Sequence, residues 1–253
     1  MENKTELTIK EKQEILLGIL KDLDRFCRAN DIPYSISSGT LLGAVRHGGF
    51  IPWDDDADMF MLREDFDRFV KIYRSDRYHL LFNTRTEEEF FASGYAKVND
   101  PTTYIGESLT MTHLGVSVDI FPLDYVPDDP RERKRYMHKI MSIHNRIYHR
   151  QRKDLISIIK SYRHSLDWWM NKMNETVHDP AYKGNRLVAH IVGSQNYRTV
   201  IDKDRFKTLT DIPFEGYNLR AFKDTHSYLE MVYGPDYMKP KEWSHNTKVY
   251  RKN

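Results

Sequence analysis

Residues 37–62 read SSGTLLGAVRHGGFIPWDDDADMFML, and the fold follows from how that stretch is parsed. Residues 54–62 form a strand that starts acidic and ends apolar. Upstream, residues 34–37 make a short strand. Residues 39–47 make a short helix with Leu42 and Val45 facing inward, stopped by Gly48 and Gly49. Residues 50–53 are a turn. Working outward, residues 9–30 are an amphipathic helix with Leu16, Leu20, Leu23 and Cys27 on one stripe, ended by Pro33. Residues 64–73 are a helix presenting Phe66, Phe69, Val70 and Tyr73. Short strands follow at 79–83, 95–98 and 116–121. This alternation predicts a sheet domain flanked by helices, α/β or α+β.

The acids carry the chemistry. Asp54, Asp55, Asp56 and Asp58 fall within five positions. Side chains alternate across a strand, so Asp54, Asp56 and Asp58 share one face, and Asp55 and Ala57 the other. Like charges on one face repel unless cations neutralise them. Hard oxygen ligands suit Mg²⁺ or Mn²⁺, which typically join one or two carboxylates to substrate phosphates. The alternative is a solvated acidic turn. Two neighbours favour the metal. The turn Ser38-Gly39-Thr40 opens a helix, where backbone N–H groups and the positive dipole end suit phosphate, and Gly39 lets it approach; the plainer role of such a turn is a cap. Asp119 then stands alone inside the apolar strand 118–121. A buried carboxylate needs a partner. Beside Asp56 and Asp58 it reads as a third metal or base carboxylate, the alternative being a salt bridge.

From residue 131 to about 175 the pattern becomes helical. Met137, Ile140, Met141, His144, Ile147 and Tyr148 make one stripe; Leu155, Ile159, Tyr162, Leu166, Trp169 and Met173 make a second. Residues 131–163 hold eleven Lys and Arg against two acids, a net +9, so the rest of a chain of net charge +2 carries −7. Such a basic segment suits phosphates, anionic lipids or nucleic acid. Nucleic acid fits poorly, because aromatics are not interleaved with the basic run as stacking platforms would be. Residues 186–192 read as a helix, 212–222 as a hairpin and 224–233 as a helix.

Composition sets outer limits. With 253 residues, 40% hydrophobic and 30% charged, the chain is neither disordered nor membrane-embedded. No run of about 18 apolar residues exists, so no spanning helix is expected. Residues 1–17 are charged throughout and hold no apolar h-region, so no signal peptide is expected. Cys27, the single cysteine, reads as a small buried hydrophobe. These features point to the cytoplasm. No His or Cys grouping has zinc spacing, and His144 reads as a satisfied core histidine.

Ser-Gly at a strand–helix turn, Asp-x-Asp opening the next strand and a third Asp on a later strand together resemble the nucleotidyltransferase fold of the polymerase-β type. The longer string SGTLLGAVRHGGFIPWDDDADMFMLREDFDRF, residues 38–69, closely resembles the LicD family of phosphocholine transferases. Fukutin and fukutin-related protein, which transfer ribitol phosphate, share a looser form. VDIFPLD at 118–124 and YLEMVYGPDYM at 228–238, with His245 beyond, extend the likeness over roughly 10–125 and 210–245.

The resemblance implies an α+β, nucleotidyltransferase-like mixed sheet flanked by helices. It divides into a catalytic core at 1–130, a basic helical insertion at 131–200 and a completing part at 201–253. It implies an alcohol phosphate moved from a CDP-linked donor, such as CDP-choline, to a sugar hydroxyl of a glycan or lipid-linked glycan, with CMP leaving. Mg²⁺ or Mn²⁺ would sit on Asp56 and Asp58, with Asp54 close by, and Asp119 would complete the site or take the hydroxyl proton. Ser38, Gly39, Thr40, Arg46, His47, Lys97 and His245 are candidate substrate or phosphate contacts. Arg46 and His47 equally suit a surface pair matched to a helix dipole. Lys97 has the default of a solvated lysine, and Trp53 that of a core indole. The 131–163 face is a candidate contact with the inner face of the membrane. The competing functions are a nucleotidyltransferase that releases pyrophosphate and a non-enzymatic membrane-docking module.

Overall fold

A computed structural model of the chain describes residues 5–86, 90–105, 114–151, 163–192, 199–240 and 248–251. Helix α1 (Ile9–Ala29) begins with a capping box: the Thr8 hydroxyl accepts the Glu11 N–H, and the Glu11 carboxylate accepts the Thr8 N–H. Leu16, Leu20, Leu23 and Cys27 are fully buried on its inner face. Burial pushes the Cys27 thiol well above its ordinary pKa, so it is inert.

Next come β1 (Ser35–Ile36), α2 (Ser38–His47), β2 (Ala57–Leu62) and α3 (Arg63–Ile72). The short strands β3 (His79–Leu81), β4 (Thr84–Arg85), β5 (Phe90–Phe91), β6 (Ala96–Asn99) and β7 (Thr103–Ile105) lead to β8 (Ser117–Tyr125). The central sheet runs β1-β2-β8-β6-β3. β2 and β8 are parallel neighbours; the other pairs are antiparallel. β8 is covered on both faces, which explains its nearly continuous apolar character. Arg63, opening α3, is buried and donates to Asp124 on β8 at 2.6 Å, locking helix to sheet.

Helices α4 (Pro130–Gln151) and α5 (Leu166–Val177) pack on one another, and the Tyr136 hydroxyl donates to the Thr176 carbonyl at 2.6 Å. With Ile191 and Val192 they build a second hydrophobic cluster apart from the main core. Tyr136, Met137, Ile140, Ile143 and Ile147 form the buried stripe of α4; Tyr148, expected on it, is exposed. Leu155, Ile159 and Tyr162 lie outside the described residues, whereas Leu166, Trp169 and Met173 fall on α5.

The helix expected at 186–192 is instead strand β9 (Leu187–Ala189), paired with β8 and with β10 (Val200–Asp202). A short apolar run carries no period that separates helix from strand, and the open end of β8 selects strand. The strand expected from residue 54 begins at Ala57, because the Asp54 N–H closes a turn onto the Ile51 carbonyl at 2.9 Å. Strands expected at 34–37 and 79–83 are shorter than their patterns.

The hairpin β11 (Leu209–Phe214) and β12 (Tyr217–Phe222) turns through Glu215 and Gly216, both at positive φ, a type I′ turn. Its tip grips the end of α2. The Glu215 N–H donates to the Gly48 carbonyl at 2.9 Å, and its carboxylate accepts the Phe50 N–H at 3.0 Å. Gly48 sits at φ 69° as the left-handed cap, and any Cβ on Gly49 would collide with the Glu215 carboxylate. Helix α6 (Thr225–Tyr233) packs against α2, and β13 (Val249–Arg251) pairs with β7. Among the described residues no helix is long and apolar enough to cross a membrane.

Candidate active site

Sheet register builds the site. Asp58 on β2 stands opposite Asp119 on β8, and Asp119 stands opposite Lys97 on β6. Two carboxylates and an ammonium thus form one row across three adjacent strands. Lys97 Nζ forms an ion pair with Asp119, and both side chains are largely buried. Lys97 is therefore not the solvated lysine that is the default for an isolated residue. Burial alone would lower its pKa, but Asp119, then Tyr95 and Asp58, hold it above the ordinary value. Burial pushes Asp58 well above the carboxylate range, reinforced by Asp56, Asp119 and Asp54; Lys97 pulls the other way.

The turn before β2 adds the remaining acids. Asp54 is buried and hydrogen-bonded to Asp56. Burial, then the Asp56 charge, push it up to about 8. Asp56 is exposed and closes the solvent side of the group. Asp55 points the other way, to Lys12 of α1 at 3.0 Å in a buried ion pair. The alternation expected for a strand therefore holds for these side chains, although the strand proper starts later. Gln13 of α1 donates to the Ile51 and Asp54 carbonyls at 3.0 and 2.9 Å. The first helix thus supports the acidic turn from behind.

The first turn of α2 is tied to the same row. The Ser37 N–H donates to the Asp58 carbonyl at 3.0 Å, and the Asp58 N–H donates to the Thr40 hydroxyl at 2.8 Å. Ser38 takes φ 49°, in the left-handed region, and its N–H donates to the Tyr228 hydroxyl at 3.2 Å. A Cβ on Gly39 would lie 2.7 Å from Asp54 Oδ2, so the glycine admits a carboxylate of the chain itself. Ser37 Oγ is buried at the N-cap without a hydrogen-bond partner.

The donor set fits a hard divalent cation: four carboxylates crowd together against one ammonium. Among the described residues no group of three or more His, Cys, Asp or Glu side chains is placed to hold a metal ion by itself; a cation here would take one or two of these carboxylates and complete its shell with substrate oxygens and water.

Other predicted residues lie elsewhere. Arg46 and His47 are at the far end of α2. Arg46 donates to the His47 ring at 2.9 Å and to the Tyr237 carbonyl at 3.1 Å, joining α2 to the C-terminal part. Burial and then the Arg46 charge lower the His47 pKa. Trp53 packs against the core, with Nε1 buried and without a hydrogen-bond partner. His245 lies outside the described residues. His144, read as satisfied, is half-buried, with Nδ1 buried and without a hydrogen-bond partner. Sequence reasoning missed Lys12, Gln13 and Tyr228 as supports of the site. It also missed Tyr233, which feels the charges of Asp58, Asp54 and Asp56. The quoted 228–238 string contains both tyrosines, but nothing local to it tells which side chain meets α2.

The family described as LicD/FKTN/FKRP, nucleotidyltransferase domain, matches residues 31–162. The lipopolysaccharide cholinephosphotransferase LicD of Haemophilus influenzae is 30% identical over 254 residues, covering 92% of this chain and 92% of that protein. Human ribitol 5-phosphate transferase FKRP is 28% identical over 97 residues, covering 36% of this chain and 18% of its own length. An uncharacterized protein of Rickettsia typhi is 48% identical over 65 residues, covering 25% of this chain and 21% of its own length.

Proposed function

The chain belongs to the LicD/FKTN/FKRP family and is a LicD-like phosphotransferase; on that premise we propose that it moves phosphocholine, or a similar alcohol phosphate, from a CDP-linked donor to a sugar hydroxyl of a cell-surface glycan or its precursor. CMP is the leaving product. The observation that carries this reading is the Asp58–Asp119–Lys97 row, with Asp56 and Asp54 beside it.

Mg²⁺ or Mn²⁺ held by Asp56 and Asp58, with Asp119 and Asp54 within the same group, would neutralise the diphosphate charge. The chain's own residues bind and orient. Ser38, Gly39 and Thr40 present the first turn of α2 to the donor's phosphates, with Ser37 Oγ beneath them. Asp119 completes the cation site or accepts the proton of the attacking hydroxyl. Phosphoryl transfer is met mainly by positioning and electrostatics, and strand-borne groups supply rigid positions for both.

In the same reading the sheet is of the nucleotidyltransferase type. Residues 1–130 and 201–253 form the catalytic part, and 131–200 an insertion whose helices α4 and α5 pack in the second cluster while its strand β9 joins the sheet at β8. The protein works on the cytoplasmic side, with the basic face of α4 against an anionic membrane that carries the acceptor. The test is incubation with Mg²⁺, a panel of CDP-alcohols and a glycan acceptor, with products read by mass. CMP together with phosphoalcohol-modified acceptor is expected. Pyrophosphate released from a nucleoside triphosphate, with no CMP from any CDP-alcohol, overturns the reading.

A further inference from the structure

The carboxylate row carries its own cation. Lys97 enters from β6, and register alone sets it against Asp119. Its ammonium lies 5.9 Å from the Phe91 ring centre and 5.6 Å from that of Tyr95, so aromatic faces cover what the carboxylate does not. The Lys97 side chain is 12% exposed. A lysine so placed gives up hydration that only a carboxylate close by restores. Its four-carbon stem nevertheless lets the ammonium swing while the strand stays fixed.

A second cation arriving at Asp119 changes the balance. A divalent cation and an ammonium on one carboxylate repel each other, and the ammonium is the mobile partner. Lysine is a three-donor point charge that serves phosphate oxygens as readily as carboxylates. From this geometry we infer that Lys97 competes with a divalent cation for Asp119, and that cation binding passes its ammonium from the carboxylate to a phosphate oxygen of the donor. The inference rests on the metal-dependent reading above. It makes cation and donor mutually reinforcing, since each gives Lys97 a reason to leave Asp119.

Mn²⁺ binding, read from the paramagnetic resonance of free Mn²⁺ without donor, tests it apart from activity. Lys97→Met keeps the stem against Phe91 and Tyr95 and removes the competitor. It should bind Mn²⁺ about tenfold more tightly than wild type, the effect of one neighbouring charge. At saturating Mn²⁺ its KM for CDP-choline should rise about tenfold, because a charge-assisted contact to phosphate is gone. Asp58→Asn should abolish Mn²⁺ binding in both backgrounds. Mn²⁺ affinity in Lys97→Met equal to or weaker than wild type, with that control behaving, overturns the role of Lys97 and leaves the metal reading standing. No Asp58-dependent Mn²⁺ binding in either protein overturns both. Should Lys97→Met fail to fold, Lys97→Arg decides. Its planar fork grips Asp119 more firmly, so Mn²⁺ binding several-fold weaker than wild type supports the competition, and equal or tighter binding overturns it.

Discussion

Asp58 is held in place through its backbone, by Ser37 and Thr40, while its carboxylate faces three others. Asp56→Asn or Asp58→Asn should therefore abolish transfer and leave the melting temperature without metal unchanged or higher, because one repelling charge is removed. Turnover near the wild-type rate in either variant would remove these two residues from the site. Asp119 behaves differently. Asp119→Ala strands the Lys97 ammonium, so a stability loss of about 3–5 kcal/mol should accompany the loss of turnover. Denaturant melts beside kcat check this, and an unaltered melt would mean the pair is not coupled. The glycines of α2 offer a paired comparison. In Gly39→Ala the new methyl meets the movable carboxylate of Asp54, so activity should fall with little change in stability. In Gly43→Ala it meets the Gly49 carbonyl, a backbone atom that cannot swing aside, so about 1–3 kcal/mol of stability should be lost. Equal melting temperatures for the two variants would contradict this packing.

Helix α4 buries one stripe against α5 and turns Lys134, Arg135 and Lys139 outward. Trp168 of α5 and Tyr148 of α4, two of the exposed large hydrophobics, stand on the same helix pair. In the membrane reading proposed above, each outward Lys or Arg near an anionic surface would contribute about 1 kcal/mol. Arg133 does not belong to that face, since its guanidinium donates to the Pro127 and Asp128 carbonyls. Changing Lys134, Arg135 and Lys139 to Glu should weaken sedimentation with anionic vesicles at low salt and leave activity on a soluble acceptor unaltered. Lost activity on the soluble acceptor would assign these cations to the substrate instead.

The two clusters meet along β9 and around His190. Its Nε2–H donates to the Val192 carbonyl at 2.8 Å, and its ring packs against Phe121 and Phe60. Burial lowers its pKa to about 4. The unfolded chain binds a proton at that ring near the ordinary value of 6.5, so between 6.5 and 4 it holds more protons than the folded one. Stability therefore rises with pH through that window and falls on acidification, by up to about 3 kcal/mol from this ring. His190→Phe keeps the aromatic packing and should flatten that part of the curve. The difference in melting temperature between the two proteins, measured from pH 7 to pH 4.5, cancels what the carboxylates contribute. A constant difference across the range would show that the ring is not buried neutral.

Much of this was readable along the chain. The stripe of α1, the short helix closed by Gly48 and Gly49, the Asp-x-Asp before an apolar strand, and the lone Asp119 all rest on local period or residue chemistry, which neighbours in sequence decide. The resemblance to the family is legible in the same string. The partners of these groups were not readable. A period of two says that Lys97 and Asp119 lie on a face, but not that β6 lies beside β8 in the register that opposes them. Nothing near Gly39 announces that its missing Cβ makes room for Asp54, nor near Glu215 that its carboxylate caps the turn after α2. Within the stretch expected as a helix, Leu187–Ala189 became a strand because β8 had an unpaired stretch to offer. Local pattern determines which residues are buried, charged or able to turn. Which of them touch is set by close packing and backbone pairing between segments far apart in sequence, 190 residues in the case of Ser38 and Tyr228, and those energies exist only once the sheet has formed.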